Sequence, residues 1–201
     1  MRKQAIYYLS IMSVMAVFVT ACDDNRMSGN VYGSLWVPDC ENGADKDFSC
    51  PSSVAIEDCQ AYRLDVTFVA MQVYPDHSAT IRLQKGGSDF ALTDGVLFQI
   101  RDTRLLRGRM GEPLPVGQNS NIRGALGLFD TCAGSTQNFE LSGQVVFERF
   151  GVSKGTRVSG RIPGVEIRDG RGEGAGMVLG YIQGAFDFDV RLGPPYQRFQ
   201  E

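Results

Sequence analysis

Alternation of apolar and polar residues with a period of two is the feature that most constrains the fold of this chain. In Tyr62–Phe68 every second side chain is apolar, and in Phe186–Leu192 the apolar residues alternate with Asp187, Asp189 and Arg191. Alternation of this kind is typical of half-buried β-strands. Apolar alternation recurs over further segments: 79–84, 96–100, 123–129, 139–150, 156–168 and 177–192.

The same pattern argues against a helical fold. Almost no segment shows the 3.6-residue apolar period of an amphipathic helix over a useful length, and the alternating segments are rich in β-branched and aromatic residues. Short strands at near-regular spacing are typical of all-β domains. We therefore predict an all-β fold, specifically an antiparallel β-sandwich, with a β-barrel as the alternative.

Three glycines lie inside the predicted strands, at Gly143, Gly160 and Gly184. A glycine in a strand interior marks a bulge, a sharp bend or the close approach of another backbone. Three of them in consecutive strands predict one curved, tightly packed region of sheet. A ligand approaching this bend is the functional interpretation. The succession of glycine-containing strands over residues 138–192 resembles β-domains of uncharacterised exported bacterial lipoproteins, a resemblance that implies no activity.

The N-terminus has the organisation of an export signal. Arg2 and Lys3 precede the segment 5–19, which carries no charge. This apolar run is about 15 residues long, short of the roughly 20 that span a bilayer as a helix. The end of this run lies in Val19-Thr20-Ala21-Cys22, four residues that resemble the lipobox of bacterial lipoproteins.

The lipobox resemblance implies that Cys22 is lipidated and becomes the first residue of the mature protein. A diacylglyceryl group on its sulfur, usually with a third acyl chain on its amine, makes a stable membrane anchor. We expect the protein in the cell envelope, on the outer or inner membrane, facing the periplasm or the exterior. An ordinary secretory signal, with Cys22 a free thiol, is the alternative. The predicted organisation is a signal peptide (1–21), an acidic, cysteine-containing tether and loop (22–60), a β-domain (61–193) and an extended tail (194–201).

Charge argues against a nucleic-acid partner. The whole chain has a formal net charge of −3, and removal of the signal, with its two basic residues, leaves −5. Residues 23–60 hold eight acids and two bases, which is typical of a solvated tether. No basic amphipathic segment points to lipid-surface binding beyond the anchor.

Four cysteines besides Cys22 predict two disulfides in an exported chain. Three pairings are possible. We favour one local bridge and one that links the N-terminal loop to the β-domain, which would stabilise the fold by roughly 4 kcal/mol through the unfolded state. A zinc site is disfavoured, because no Cys-x-x-Cys is present. In the favoured pairing Cys40 joins Cys50 and Cys59 joins Cys132.

The densest basic cluster comprises Arg101, Arg104, Arg107 and Arg109, with Arg123 beyond it. Arginine forks suit phosphates, sulfates and carboxylates. Parity places Arg101 and Arg107, or Arg107 and Arg109, on one strand face. The cluster is either a solvated face paired with acids or a site for an anionic glycan or lipid headgroup.

Candidate catalytic groups are few. Gly151–Gly155 matches the Gly-x-Ser-x-Gly elbow of α/β-hydrolases, but it lies between two alternating segments and predicts a hairpin loop. The only histidine, His77, precedes Ser153, the reverse of the elbow order. Asp187 and Asp189 share a strand face by alternation alone.

We therefore expect a non-catalytic structural or interaction component of the envelope, with no metal and no cofactor. Its partners would be the membrane, through the anchor, and another envelope protein. A binding module for an anionic glycan or lipid is the first alternative. An envelope hydrolase is the second.

Overall fold

Ten β-strands and one 3-10 turn (Thr103–Leu106) form the described part of the chain in the computed structural model. The structure describes residues 27–35, 61–86, 93–130, 138–170 and 176–190. The strands are β1 (Ser28–Leu35), β2 (Ala61–Asp65), β3 (Phe68–Val73), β4 (Ala79–Gln84), β5 (Gly95–Ile100), β6 (Pro113–Val116), β7 (Ile122–Gly127), β8 (Asn138–Phe150), β9 (Arg157–Arg168) and β10 (Val178–Asp189).

All ten strands belong to one curled sheet, in the order β2-β1-β10-β9-β8-β6-β7-β5-β4-β3. Neighbouring strands are antiparallel, except that β6 and β7 meet in parallel at Val116 and Ile122. The long strand β8 pairs with β7 through residues 138–141 and with β6 through residues 143–146. β6 and β7 therefore share one edge of β8, and the short strand β6 pairs with the part of that edge that β7 leaves unpaired.

The two terminal strands of the sheet, β2 and β3, are separated in the chain only by Val66 and Thr67. At this corner the N–H of Val66 donates to the carbonyl oxygen of Gly29 in β1 (3.2 Å), and the N–H of Thr67 donates to that of Gln84 in β4 (2.9 Å). One continuous stretch of chain thus passes from one edge strand of the sheet to the other. The two edges of the curled sheet meet at this corner.

The predicted all-β, antiparallel architecture is confirmed. A single curled sheet corresponds to the barrel alternative rather than to two separate sheets of a sandwich. One boundary changes: β1 lies within residues 22–60, which the sequence assigned to tether and loop. It pairs with β10 and with β2, so the sheet begins at Ser28 and not at residue 61.

The concave side of the sheet is filled by one apolar cluster to which every strand contributes. Each fully buried aliphatic or aromatic side chain of this kind contributes about 1.5–3 kcal/mol. The 3-10 turn adds Leu106, which is buried in the same cluster. The largest fully buried side chains are Tyr62, Phe98, Phe139, Phe147 and Phe186.

Strand glycines produce the curvature predicted for residues 138–192. A Cβ on Gly184 would lie 2.2 Å from the carbonyl oxygen of Asn30, and a Cβ on Gly160 would lie 2.4 Å from that of Val146. Gly143 has a φ of 153°, which favours glycine. The pairings of β9 with β8 and with β10 each contain two register shifts. Close backbone approach and bulges therefore coincide in this region.

The strand register defines two ends of the sheet. The upper end carries the start of β1, the β3–β4 turn (75–78), the segment 101–112 and the β8–β9 loop (151–156). The lower end carries the end of β1 and the starts of β2, β5, β8 and β10. Ser28 and Arg149 occupy the same row of the upper end, since Ser28 pairs with Asp187, Asp187 with Ser159 and Ser159 with Arg149.

Several predictions fall on residues outside the described ranges. They concern the signal and lipobox, the tail 194–201 and both proposed disulfides. The residues concerned are Cys22, Cys40, Cys50, Cys59 and Cys132. No helix within the described ranges is long and apolar enough to cross a membrane.

Candidate functional site

The arginine cluster does not lie on a strand face. Strand β5 ends at Ile100, and the chain then forms the 3-10 turn and a loop before β6 begins at Pro113. The parity argument that placed Arg101 with Arg107 on one face is therefore wrong. The physical reason is an N-cap: the side chain of Asp102 accepts the backbone N–H of Arg104 and starts the 3-10 turn.

Two arginines of the cluster are neutralised by neighbouring carboxylates. Arg104 binds Asp102 through Nε (2.9 Å) and Nη2 (2.8 Å). The hydrogen bonds from Arg104 lower the pKa of Asp102 to about 2. Arg109 pairs with Glu112 (3.0 Å). Arg104, Arg109 and Glu112 are exposed and Asp102 is partly exposed, so both ion pairs contribute little to stability.

Arg101 and Arg123 converge on one acceptor. Nη2 of Arg101 donates to the carbonyl oxygen of Gln118 (2.7 Å), and Nε of Arg123 donates to the same oxygen (3.0 Å). These bonds use one of the five N–H donors of each guanidinium. Both arginines line an open groove of about 320 Å³ on the outer face of β4, β5 and β7. Three hydroxyl side chains line the same groove: Tyr74, Ser78 and Thr80.

The neighbouring surface is also recessed. An open groove of about 570 Å³ shares Gln99 and Arg123 with the first and extends to Glu140 in β8. The side-chain N–H of Gln118 donates to Oε1 of Glu140 (2.5 Å). Gln118 therefore accepts from two arginines with its backbone and donates to a carboxylate with its side chain, which fixes the position of the β6–β7 turn.

A third recess, of about 1140 Å³, lies on the outer face of β1, β8, β9 and β10. Within it Arg157 bonds Asp187 (Nε–Oδ1 2.6 Å, Nη2–Oδ2 2.8 Å) and Asp189 (Nη1–Oδ1 3.0 Å). Hydrogen bonds to Asp187 and then to Asp189 raise the pKa of Arg157. Both carboxylates are held by one guanidinium, so the pair is arranged as an ion-pair network and not as the acid and base of a glycosidase.

The sequence placed Ser153 in a hairpin loop, and the structure confirms this. Residues 151–156 join β8 to β9, and the hydroxyl of Thr156 donates to the carbonyl oxygen of Ser153 (2.6 Å). The strand-to-helix turn that a nucleophile elbow needs is absent here, because a strand follows. His77 lies in the β3–β4 turn with a φ of 67°, and its carbonyl oxygen accepts the N–H of Thr103.

Across the described residues, no three His, Cys, Asp or Glu side chains come close enough together to hold a metal ion. Asp169, at the end of β9, is buried, and its N–H donates to the carbonyl oxygen of Met177 (3.0 Å). It therefore belongs to the start of the β9–β10 hairpin.

Comparison with protein-family models, curated proteins and solved structures finds no match for this chain. The candidate sites consequently stand on their own geometry. Of the sequence-predicted arginines, Arg101 is brought together with Arg123, whereas Arg104 and Arg109 are paired locally.

Proposed function

We propose that this protein is a lipid-anchored, disulfide-stabilised component of the bacterial cell envelope that acts by binding and not by catalysis. The lipobox-like Val19–Cys22 supports the anchor, and the cysteine count supports the disulfides. The observation that carries the binding role is the filled interior: apolar side chains from every strand occupy the concave side of the sheet. Recognition therefore uses the outer face, where the three grooves lie.

The geometry of the described part offers no nucleophile with a neighbouring base. Ser153 hydrogen-bonds within its own hairpin loop, and His77 lies in a different turn, between β3 and β4. This arrangement favours an interaction protein over a hydrolase. Its partner on the outer face would be another envelope protein.

Crosslinking in native membranes tests the proposal. The full-length protein would be crosslinked in the cell, purified with its attached proteins and compared with a Cys22→Ala variant that cannot be lipidated. One dominant partner that is lost or reduced with Cys22→Ala is expected. A hydrolytic activity that disappears with Ser153→Ala or His77→Ala would contradict the non-catalytic assignment.

Binding of an anionic glycan or lipid headgroup is the second candidate function, and one observation favours it. Arg101 and Arg123 share the carbonyl oxygen of Gln118, so two guanidinium groups are held together in one groove. Paired arginine forks fit a phosphate, sulfate or carboxylate.

Dextran sulfate is a suitable probe for this site, with neutral dextran as its reference. Replacement of both Arg101 and Arg123 by Ala should weaken dextran sulfate binding about ten-fold or more, since charge-assisted hydrogen bonds contribute about 1.5–3 kcal/mol each. The matched control is Arg63→Ala, which removes an exposed arginine on β2. Equal losses in the two variants would exclude a specific site.

A further inference from the structure

The upper end of the sheet is the end from which the tether leaves. The first strand begins at Ser28, in the same row as Asp187, Ser159 and Arg149. Six residue steps separate Ser28 from Cys22, and at full extension they span about 20 Å. A strand of 13 residues such as β8 spans about 40 Å. A lipid on Cys22 therefore keeps the upper end, rather than the lower end, near the membrane surface.

Exposed apolar side chains are concentrated at this end. The described part has seven large hydrophobic side chains that are exposed, and four of them belong to the upper end or directly precede β1. Leu105 is 58% exposed, although the next residue, Leu106, is buried in the core. Single exposed apolar residues are ordinary, but their placement around one end requires an explanation. The four are Met27, Leu105, Met110 and Val152.

Basic residues without a carboxylate partner are found at the same end. Within the described residues, Arg107 and Lys154 form no ion pair, and both are exposed. Arg149 is likewise exposed, and Arg101 bonds only a carbonyl oxygen. The acids of the end are already engaged: Asp102 by Arg104, Glu112 by Arg109 and Asp76 by Ser78. Asp187 and Asp189, near the Ser28 row, are both held by Arg157, and Glu148 contacts Arg161.

From the tether length and this surface we infer that the upper end docks on the membrane that anchors the protein, with its apolar side chains entering the interface and its basic side chains binding anionic headgroups. Apolar residues flanked by Lys and Arg are the combination that binds anionic lipid surfaces. This docking deepens the proposed function, on which it rests through the anchor. It also explains why no basic amphipathic segment is visible in the sequence, because the residues come from separate loops.

Tryptophan fluorescence tests the docking. The single native tryptophan is first removed by Trp36→Phe. Leu105→Trp then reports on the upper end, and Val152→Trp provides a second probe on a different loop. The matched control is Tyr181→Trp, which lies on the outer face of β10 toward the lower end and replaces a side chain that is 47% exposed. Each full-length lipoprotein is reconstituted in vesicles of brominated phosphatidylcholine and phosphatidylglycerol.

Brominated lipid should reduce the fluorescence of Leu105→Trp and Val152→Trp about two-fold, as expected for side chains buried at the headgroup boundary, and leave Tyr181→Trp unchanged. Arg107→Glu with Lys154→Glu should abolish the quenching in phosphatidylglycerol vesicles, whereas Lys85→Glu at the lower end should not. The proposal would be overturned if Tyr181→Trp were quenched as strongly as Leu105→Trp, or more strongly. It would also be overturned if neither Leu105→Trp nor Val152→Trp were quenched.

Failure of the anchor and failure of the docking give different results. If the intact mass of the purified protein shows no attached lipid, the lipid anchor of the proposed function is contradicted. The docking is then tested with residues 22–201 held by an N-terminal hexahistidine segment on vesicles that contain a nickel-chelating lipid, with the same three tryptophan probes. Selective quenching at the upper end in that preparation supports the docking surface, and uniform quenching or none contradicts it.

Discussion

The two halves of the sheet reach the same burial by different means. The half formed by β3, β4, β5 and β7 has strands of six residues, paired without register shifts. The half formed by β1, β8, β9 and β10 has strands of up to 13 residues, four register shifts and several glycines against a neighbouring backbone. We refer to them as the regular half and the curved half.

The difference between the two halves indicates where the curvature of the sheet originates. In the regular half, ordinary alternation and normal strand twist are sufficient to bury one face. In the curved half, neighbouring backbones approach so closely at the glycines that no side chain fits between them. Bulges shift the pairing register between the strands there. The recess of about 1140 Å³ lies on the outer face of the curved half, and the groove with Arg101 and Arg123 lies on the regular half.

The largest expected effect comes from a side chain placed at a close approach in the curved half. Gly184→Ala puts a Cβ 2.2 Å from the carbonyl oxygen of Asn30, and a backbone atom cannot yield as a side chain does. We expect a loss of about 3 kcal/mol or more in unfolding free energy, measured by urea denaturation. Gly117→Ala, whose nearest atom would be 3.8 Å away, should change it by about 0.5 kcal/mol at most. Similar losses in the two variants would refute the curvature argument.

A matched pair of core substitutions compares the packing of the two halves. Phe147 in the curved half makes edge-to-face contacts with Phe150 (5.1 Å) and Phe186 (5.8 Å). Phe98 in the regular half is equally buried. Phe147→Leu should therefore cost about 1 kcal/mol more than Phe98→Leu, because aromatic pairs contribute beyond buried area. Equal unfolding midpoints and slopes would show that these ring contacts add nothing.

Arg157 tests the polar network on the curved half. Arg157→Met leaves Asp187 and Asp189 side by side without a countercharge, and we expect a loss of about 1 kcal/mol that shrinks at high salt. Arg161→Met is the control, because its contact with Glu148 is longer, at 3.7 Å, and more exposed. A salt-independent loss would assign the effect to packing of the arginine stem instead.

The smallest effect concerns acid stability at the 3-10 turn that follows β5 of the regular half. Because the pKa of Asp102 is lowered to about 2 by Arg104, its ionised form stabilises the fold at pH values above the unfolded pKa of about 3.9. This contribution is lost as the pH falls from about 4 to about 2. Asp102→Asn should therefore show a shallower fall in stability over this range than the parent protein. Parallel pH profiles of the two proteins would contradict the pairing.

Much of the fold could be predicted from alternation alone, since β4, β5, β8, β9 and β10 coincide with alternating segments. Strand β6 could not, because it has four residues and two prolines and is ordered by its pairing with β8. The corner at Val66 and Thr67 could not be predicted either, because the alternation of Tyr62–Phe68 continues through it. The sequence also gave no indication that β2 and β3 would lie at opposite ends of one sheet.

The candidate site was less predictable, for physical reasons. Arg101 was singled out by the local density of arginines, but its companion Arg123 lies in β7 and is brought near by strand register. Asp102 is of a residue type that often caps a helical turn, and the parity argument took no account of it. Arg157 and its two aspartates are 30 and 32 residues apart, a separation that no local pattern reports.

Intact-mass measurement of the protein purified from bacterial membranes tests the central claim, a lipid-anchored envelope protein, most directly. We predict a chain that begins at Cys22, lacks residues 1–21 and carries the added mass of a diacylglyceryl group, with or without a third acyl chain. After mild alkylation, the absence of free thiols at the other four cysteines would agree with two disulfides. A chain of residues 22–201 without added lipid mass, recovered in the soluble fraction, would contradict the account.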